Sequence, residues 1–573
     1  MIPRFVLRIV GKVVRRPVLR HIAAFDIAAA HCAEVQSAIL ERILRQHEET
    51  SFGRDHGFDT IRSYQDFRRQ VSLAGYERLE PYIARMRRGE HTALISGERV
   101  HMFALTSGTT AARKFIPVTD QYLADYRRGW NIWGMRAFLD HQEAKLRPIV
   151  QMSSDWNEFR AEDGTPCGSV SGLTAEMQKR LIRFLYCVPP CTGRIKDTTA
   201  KYYAVLRLSL PRSVGVVVSA NPSTLINLAR TGDQFKDDLI RDIHDGTLSK
   251  AIDIPEPIRA ELTRRLAKAD PKRARELESI VSRTGVLFPK DYWSDFICGN
   301  WTGGTVGAYL RLFPKYYGDA PCRDVGLIAS EGRFTIPIMD GTPAGVLDIT
   351  SHFFEFVPAS EIGSQSPTVL LAHELRLGES YFIVPTTAFG LYRYDIHDLV
   401  RVTGFHHATP IVEFLSKGSH FASITGEKVS EYQVCRSMSQ ALSTLDMAVS
   451  TYSLAPCWDD LMPYYGLFVE MRDLPGRKGG VMLAAEFDQV LQEQNIEYRS
   501  KRESQRLGPV RLQALPDGAW QSWDARRLAK SGGTVEQYKH PCLISDMDFR
   551  ATMPVLEELS SSSLALPLAT SEG

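Results

Sequence analysis

Two short runs, Pro148–Met152 and Val214–Val218, are apolar but for Gln151 and show no regular alternation with polar residues. Such runs suit strands buried on both faces of a mainly parallel sheet, which then needs helices on each side. Candidate helices are present. After Asp120, which can act as a cap, Leu123, Tyr126, Trp130, Trp133 and Ala137 recur at helical spacing. That aromatic stripe suits core packing, with the lining of an apolar pocket as the alternative. Residues 223–283 read as helical, with Lys and Arg interleaved with Asp and Glu as on a solvated face. A helix is expected over 27–48, where Val35, Ile39, Leu40, Ile43 and Leu44 form a stripe, and shorter pieces over 66–69 and 76–85.

Strand signals return at 296–298, 325–328 and 346–349. Antiparallel pieces follow over 351–358 and 369–385, turning near Gly378, and a further strand over 391–404. From about residue 425 the character changes. A helix (430–445), strands (447–453 and 464–471), a helix (478–495) and a strand (508–514) would close a small α+β unit. A hinge is expected between Phe405 and Gly426. The class is therefore α/β, with mixed or parallel sheets and helices in a large N-terminal domain, followed by a small C-terminal α+β domain.

The stretch Phe103–Thr119, FALTSGTTAARKFIPVT, reads as strand, hydroxyl-rich loop, strand. Gly108 allows close approach of backbone to a ligand, and Ser107, Thr109 and Thr110 supply hydroxyls beside free N–H groups. Successive N–H groups in such a turn make a concavity for an anion, and Lys114 adds positive charge. The simpler alternative is a polar hairpin turn. No G-x-x-x-x-G-K-[ST] or strand-linked G-x-G-x-x-G occurs, so the common mononucleotide and dinucleotide loops are excluded. The glycine-rich segment Gly164–Gly172 lacks the G-x-S-x-G spacing of a nucleophile elbow.

At 573 residues the chain has room for two or three domains. Its 69 Lys plus Arg against 67 Asp plus Glu give +2, so no overall field favours nucleic acid. Nine cysteines without C-x-x-C suit free thiols in a reducing, cytoplasmic setting. Residues 2–20 mix six cations with short apolar runs that are too interrupted to span a bilayer. They read as a basic amphipathic helix, either packed on the body or making peripheral contact with an anionic membrane.

The loop residues resemble the phosphate loop of adenylate-forming ligases, and more narrowly that of the auxin-responsive, Gretchen Hagen-type acyl-acid amido synthetases. Four further stretches resemble that family in the same order. Leu327–Glu331, LIASE, resembles its aromatic-x-x-Ser/Thr-Glu segment, with Leu327 where the family has an adenine-stacking Tyr; Ser330 and Glu331 are then nucleotide contacts, and Glu331 the Mg²⁺ ligand. Gly390–Gly404, GLYRYDIHDLVRVTG, resembles GLYRYRVGD, with Asp395, Ile396 and His397 replacing Arg, Val and Gly; Asp398 would accept from both ribose hydroxyls. The segment ending FLSKGSHFASITGEKVSE resembles the interdomain segment, with Lys417 beside the phosphates or ribose and Gly418 at the hinge. Gln537–Pro541, QYKHP, resembles the C-terminal QYK-x-P, which makes Lys539 the lid lysine. The SEGRFTIP and TSHFFEFVP stretches resemble the bacterial branch.

The resemblance runs from roughly residue 30 to 545 and implies a large adenylation domain (31–415) and a small mobile lid (425–555); the residues themselves suggest a basic leader (1–30) and, around the serines at 560–563, a disordered tail (556–573). The resemblance also implies ATP and Mg²⁺ as cofactors, and Lys539 and Glu331 as catalytic residues. The reaction would be adenylation of a small carboxylic acid, then transfer of the acyl group to an amino acid or other amine. Two alternatives differ in class: an acyl-CoA or other thioester ligase sharing the adenylation step, and a catalytically silent nucleotide-binding interaction protein.

Overall fold

The computed structural model describes residues 4–106, 114–178, 180–266, 268–303, 309–361, 364, 366–417, 421–422, 424–425, 427, 429–458, 463–503, 507–531 and 538–560. For residues 4–15, 180–181, 416–417, 421, 496–497 and 530–531 it describes the backbone alone.

The chain opens on α1 (Arg4–Ala30). The second half of this helix lies on the body: Val18, Ile22, Phe25 and Ala29 are buried. Asp26 accepts from His406 Nε2 at 2.8 Å and from Arg136 at 2.5 Å, and the Ala29 carbonyl accepts from Ala408 N. Among the described residues no helix is long and apolar enough to cross a membrane.

The strand–loop–strand reading holds for its two arms. β1 (Val100–Thr106) and β2 (Lys114–Thr119) pair antiparallel from Val100↔Thr119 to Thr106↔Lys114. β2 runs straight into α2 (Asp120–Asp140), whose N-cap is Thr119 rather than Asp120. The Thr119 hydroxyl accepts from Tyr122 N at 3.2 Å, and Asp120 sits in the first turn beside the positive helix end. The aromatic stripe is mainly core: Tyr122, Tyr126 and Trp133 are buried, with Trp130 packed at the margin.

The two unalternated runs become β3 (Ile149–Gln151) and, after β4 (Phe159–Arg160) and β5 (Pro166–Gly168), β6 (Val216–Val218). With β7 (Ile297–Gly299) and β8 (Cys322–Arg323), they form an all-parallel sheet in the order β3-β6-β7-β8. Helices from the 223–283 region bury Leu225, Leu239, Ile243 and Leu277 against it. The expected glycine-rich loop at 164–172 is corrected: Cys167 and Gly168 pair parallel to Phe103 and Ala104, completing the sheet β2-β1-β5-β4. Gly168 has no room for a Cβ, which would lie 2.5 Å from the Trp156 carbonyl carbon.

The strand expected at 325–328 is displaced. Residues 324–327 are irregular, and the chain folds into a tight hairpin of β9 (Ile328–Ala329) and β10 (Gly332–Arg333) with Ser330 and Glu331 at its tip. A seven-stranded antiparallel sheet follows. It consists of β11 (Thr335–Ile336), β12 (Gly345–Leu347), β13 (Phe353–Pro358), β14 (Leu370–Leu371), β15 (Ser380–Thr386), β16 (Asp398–His406) and β17 (Thr409–Lys417), in the order β11-β12-β17-β16-β15-β13-β14. The strand expected over 391–404 begins only at Asp398, because Arg393 and His397 take positive φ (46° and 57°) and break the extended run. The hinge interval narrows too, since residues 405–417 belong to the β16–β17 hairpin.

The small C-terminal domain holds α3 (Glu431–Thr444), β18 (Tyr452–Trp458), β19 (Pro463–Glu470), α4 (Gly476–Gln494), β20 (Arg511–Leu515), α5 (Ala519–Ser531) and β21 (Glu557–Leu559). Residues 447–451, expected in a strand, precede it. Of the tail expected over 556–573, residues 561–573 lie outside the described residues, and residues 557–559 are ordered: β21 covers the edge of β20, and Glu558 there accepts from Tyr464, Arg511 and Gln513.

Candidate active site

Ser330 and Glu331 owe their position to the two-residue hairpin between β9 and β10. Ser330 Oγ donates to the Leu105 carbonyl at 3.2 Å, one residue before β1 ends, so the hairpin tip abuts the start of the hydroxyl loop. The loop residues Ser107, Gly108, Thr109 and Thr110 lie outside the described residues, as does Gly418. Lys114, where β2 begins, donates from Nζ to the Tyr394 hydroxyl at 3.3 Å. Burial, then the carboxylate of Glu331, Tyr76, Asp398 and Asp395, push that hydroxyl far above its ordinary range, so it stays protonated. Tyr394 thus stands among Lys114, Glu331 and Asp398. Asp398 and Glu331 are buried, and Asp398 lies directly across the β16–β17 ladder from Lys417, whose side chain is outside the description.

The segment 391–397 is held by one buried pair. Arg393 donates from Nε and Nη2 to both oxygens of Glu355 on β13, at 2.8 to 3.1 Å, and from Nη1 to the Val71 carbonyl at 2.6 Å. The Tyr64 hydroxyl donates to the same carboxylate at 2.9 Å. Asp395 accepts from His397 N at 2.7 Å and steadies its left-handed backbone. The resemblance has glycine there, the residue that adopts this conformation without strain. His397 is half-buried and its ring meets Asp395 locally, at 3.1 Å.

Beside Leu327 opens a small cleft lined by Trp301, Asp324, Ile328, Thr335, Val412, Phe414 and Lys539. The Lys539 ammonium lies 4.1 Å from the Trp301 ring centre and 4.8 Å from that of Phe414, so a C-terminal-domain lysine reaches the large domain as a cation over two aromatic faces. Trp301 is fixed by its own Nε1, which donates to the Gly326 carbonyl at 2.9 Å. Asn221 Nδ2 donates to the Tyr538 carbonyl at 2.9 Å, a second tie across the domains.

Sequence reasoning missed Trp301, Phe414, Tyr394 and Asp324. Trp301 carries a usable signal, an aromatic just past a strand end and two residues before the Gly303–Gly304 pair; Phe414 and Asp324 carry none. Asp324 accepts from Gly326 N, Thr302 N and Thr302 Oγ1 at 2.6 to 2.8 Å. Burial raises its carboxyl from 3.8 to about 6 against those bonds and the pull of Lys539. Between pH 3.8 and 6 the unfolded chain has lost this proton while the folded chain still holds it. Stability should therefore fall as pH rises through that window and level off above it, by roughly 3 kcal/mol in total. Comparing denaturation of wild type and Asp324→Asn across the window checks this; identical slopes would refute it.

The fold is that of the adenylate-forming ligases. It resembles the AtGH3.15 acyl acid amido synthetase in complex with 2,4-DB, with a TM-score of 0.83, 19% identity, and 94% of this chain and 96% of that one covered. It also resembles 2-hydroxyisobutyryl-CoA ligase in the postadenylation state, with a TM-score of 0.53, 14% identity, and coverage of 92% and 91%.

Residues 21–322 match the GH3 family N-terminal domain, 345–417 its central domain and 432–548 its C-terminal domain, and the chain belongs to the GH3 family. Similar relatives include jasmonoyl–L-amino acid synthetase JAR6 of Nicotiana attenuata (26% identical over 435 residues, 72% of this chain and 73% of that one). Another is the probable indole-3-acetic acid-amido synthetase GH3.4 of Oryza sativa subsp. japonica (26% over 569 residues, 92% and 88%).

Proposed function

We propose that the chain is an AMP-forming acyl-acid amido synthetase. A carboxylate oxygen attacks the α-phosphorus of ATP, the bond to the β-phosphate breaks and pyrophosphate leaves. An amine, usually that of an amino acid, then attacks the acyl carbon, loses a proton and expels AMP. The observation that supports this reading most is a set of contacts between segments far apart in sequence: Ser330 against the end of β1, Lys114 on Tyr394, Asp398 opposite Lys417, and Lys539 over Trp301.

Ser107, Gly108, Thr109, Thr110, Lys114 and Lys417 would hold the phosphates, with Ser330 fixing the loop's root. Asp398 would take the two ribose hydroxyls. Trp301 and Phe414, which lie under the Lys539 ammonium in this structure, would supply the flat surface for adenine that Leu327 lacks once the lysine moves to the α-phosphate. Mg²⁺ binds through one or two carboxylates plus substrate phosphates and keeps its waters; Glu331, a buried carboxylate at the hairpin tip, would be the protein ligand. When bound, the ion neutralises phosphate charge. Lys539 would add positive charge at the α-phosphate, from a lid of residues 425–555 closing on the domain of residues 31–415.

The setting is proposed as cytoplasmic, with peripheral membrane contact open to the basic first half of α1. A place in the bacterial branch rests on SEGRFTIP and TSHFFEFVP alone, and the relatives named above are plant enzymes.

Pyrophosphate exchange into ATP with a panel of carboxylic acids, followed by product analysis with amino acids and with coenzyme A, tests the reading. Acid-dependent exchange with amide formation is expected. Nucleotide binding without exchange for any acid would leave a silent binding protein, and thioester in place of amide would move the chain to the thioester ligases.

A further inference from the structure

Lys539 is flanked by two side chains tied to a single atom. The Tyr538 hydroxyl and His540 Nδ1 both reach Asp524 Oδ1 on α5, each at 2.8 Å. The two neighbours are thus turned into the small domain while Lys539 between them faces Trp301 and Phe414 of the large one. His540 is engaged on its other side as well, where Nε2 lies 2.9 Å from Ser453 Oγ. Ser453 donates to the Pro541 carbonyl at 2.7 Å, so its hydroxyl has only acceptor capacity left for His540. Asp524 is an acceptor, so the contact calls for an N–H at His540 Nδ1. Trp520 and Trp523 pack edge-on against that ring, with centroids 4.5 and 5.6 Å away. Two residues on, Cys542 N donates to Glu431 at 2.8 Å.

Ser453, His540 and Asp524 line up in the order of a hydrolytic triad, but Ser453 is fully buried and its proton is committed to a carbonyl. The trio has no path to a substrate. Its geometry serves a different end.

We propose that Asp524 is a positioning residue that aims Lys539, acting through Tyr538 and His540, and that the Ser453–His540–Asp524 line is the brace of this arm. The proposal rests on the role given to Lys539 above. An unbraced arm leaves the ammonium on a long chain with free neighbours, and misplacing a catalytic charge by about 1 Å can cost 10²-fold in rate.

A double-mutant cycle on the full chain tests it, with exchange measured for Asp524→Ala, Lys539→Ala and the pair, and Asp524→Asn as the conservative variant. Asp524→Ala should lower the exchange rate roughly 10- to 100-fold with the KM for ATP little changed. Adding it to Lys539→Ala should cost nothing more, because the brace then holds no ammonium. Asp524→Asn, which keeps an acceptor oxygen, should fall between wild type and Asp524→Ala. Full exchange in Asp524→Ala beside a crippled Lys539→Ala would overturn the brace alone, as would losses that multiply in the double variant. Full exchange in Lys539→Ala would remove the role of Lys539 itself, and the brace with it.

Discussion

Lys539→Ala is expected to lower acid-dependent pyrophosphate exchange by about 10²–10³-fold, the usual cost of deleting one preorganised group that meets developing charge. ATP binding should survive, because Trp301, Phe414, Asp398 and Lys114 sit on the large domain and do not depend on the lysine for their placement. Lys539 is solvent-exposed at the mouth of the cleft, with its ammonium 4.1 Å from the Trp301 ring centre. Its removal should therefore change the melting behaviour little, and the loss can be read as lost chemistry. Calorimetric ATP binding alongside the exchange assay separates the two quantities. Undiminished exchange would remove Lys539 from the reaction.

Glu355→Ala should produce the largest loss of stability. The carboxylate is fully buried, meets the Arg393 guanidinium through two nitrogens and takes a third bond from Tyr64. Truncating it leaves a buried, uncompensated cation, a change that costs roughly 3–5 kcal/mol. Arg393 also carries φ of +46°, and this pair keeps that backbone in place. Releasing it frees the segment that carries Tyr394 and leads into Asp398, so nucleotide affinity should fall along with stability. Glu355→Gln, which keeps the shape and one acceptor, should lose less. Chemical denaturation of both variants, followed on the transition of the seven-stranded sheet, checks this; a loss under about 1 kcal/mol for Glu355→Ala would mean that Arg393 finds another partner.

Much of the local structure was readable before any coordinates. Unalternated valines gave the parallel strands β3 and β6, since a strand covered on both faces has no need of polar positions. Hydroxyl and glycine punctuation gave the two arms around the loop, and helical spacing gave α2. The errors fall where tertiary contacts outweigh local preference. The segment 391–397, with Tyr and Ile alternating with charged residues, looks like a strand, yet the Arg393–Glu355 pair draws it out of the ladder. The run at 325–328 gives way to the β9–β10 hairpin because Asp324 and Arg333 tie down its flanks with bonds to residues that no local pattern reveals.

By itself the sequence settled which residue types face which neighbours within a few turns of chain, and so the α/β class, the order of the motifs and the acidic and basic groups available for chemistry. Only the tertiary structure decided that Trp301 and Phe414 share a cleft with Lys539, and that one oxygen of Asp524 holds both neighbours of that lysine. The physical reason is range. Burial periodicity and turn chemistry act over a few residues and leave a mark in the string, whereas contacts between positions 238 residues apart arise only when whole sheets and helices close on one another.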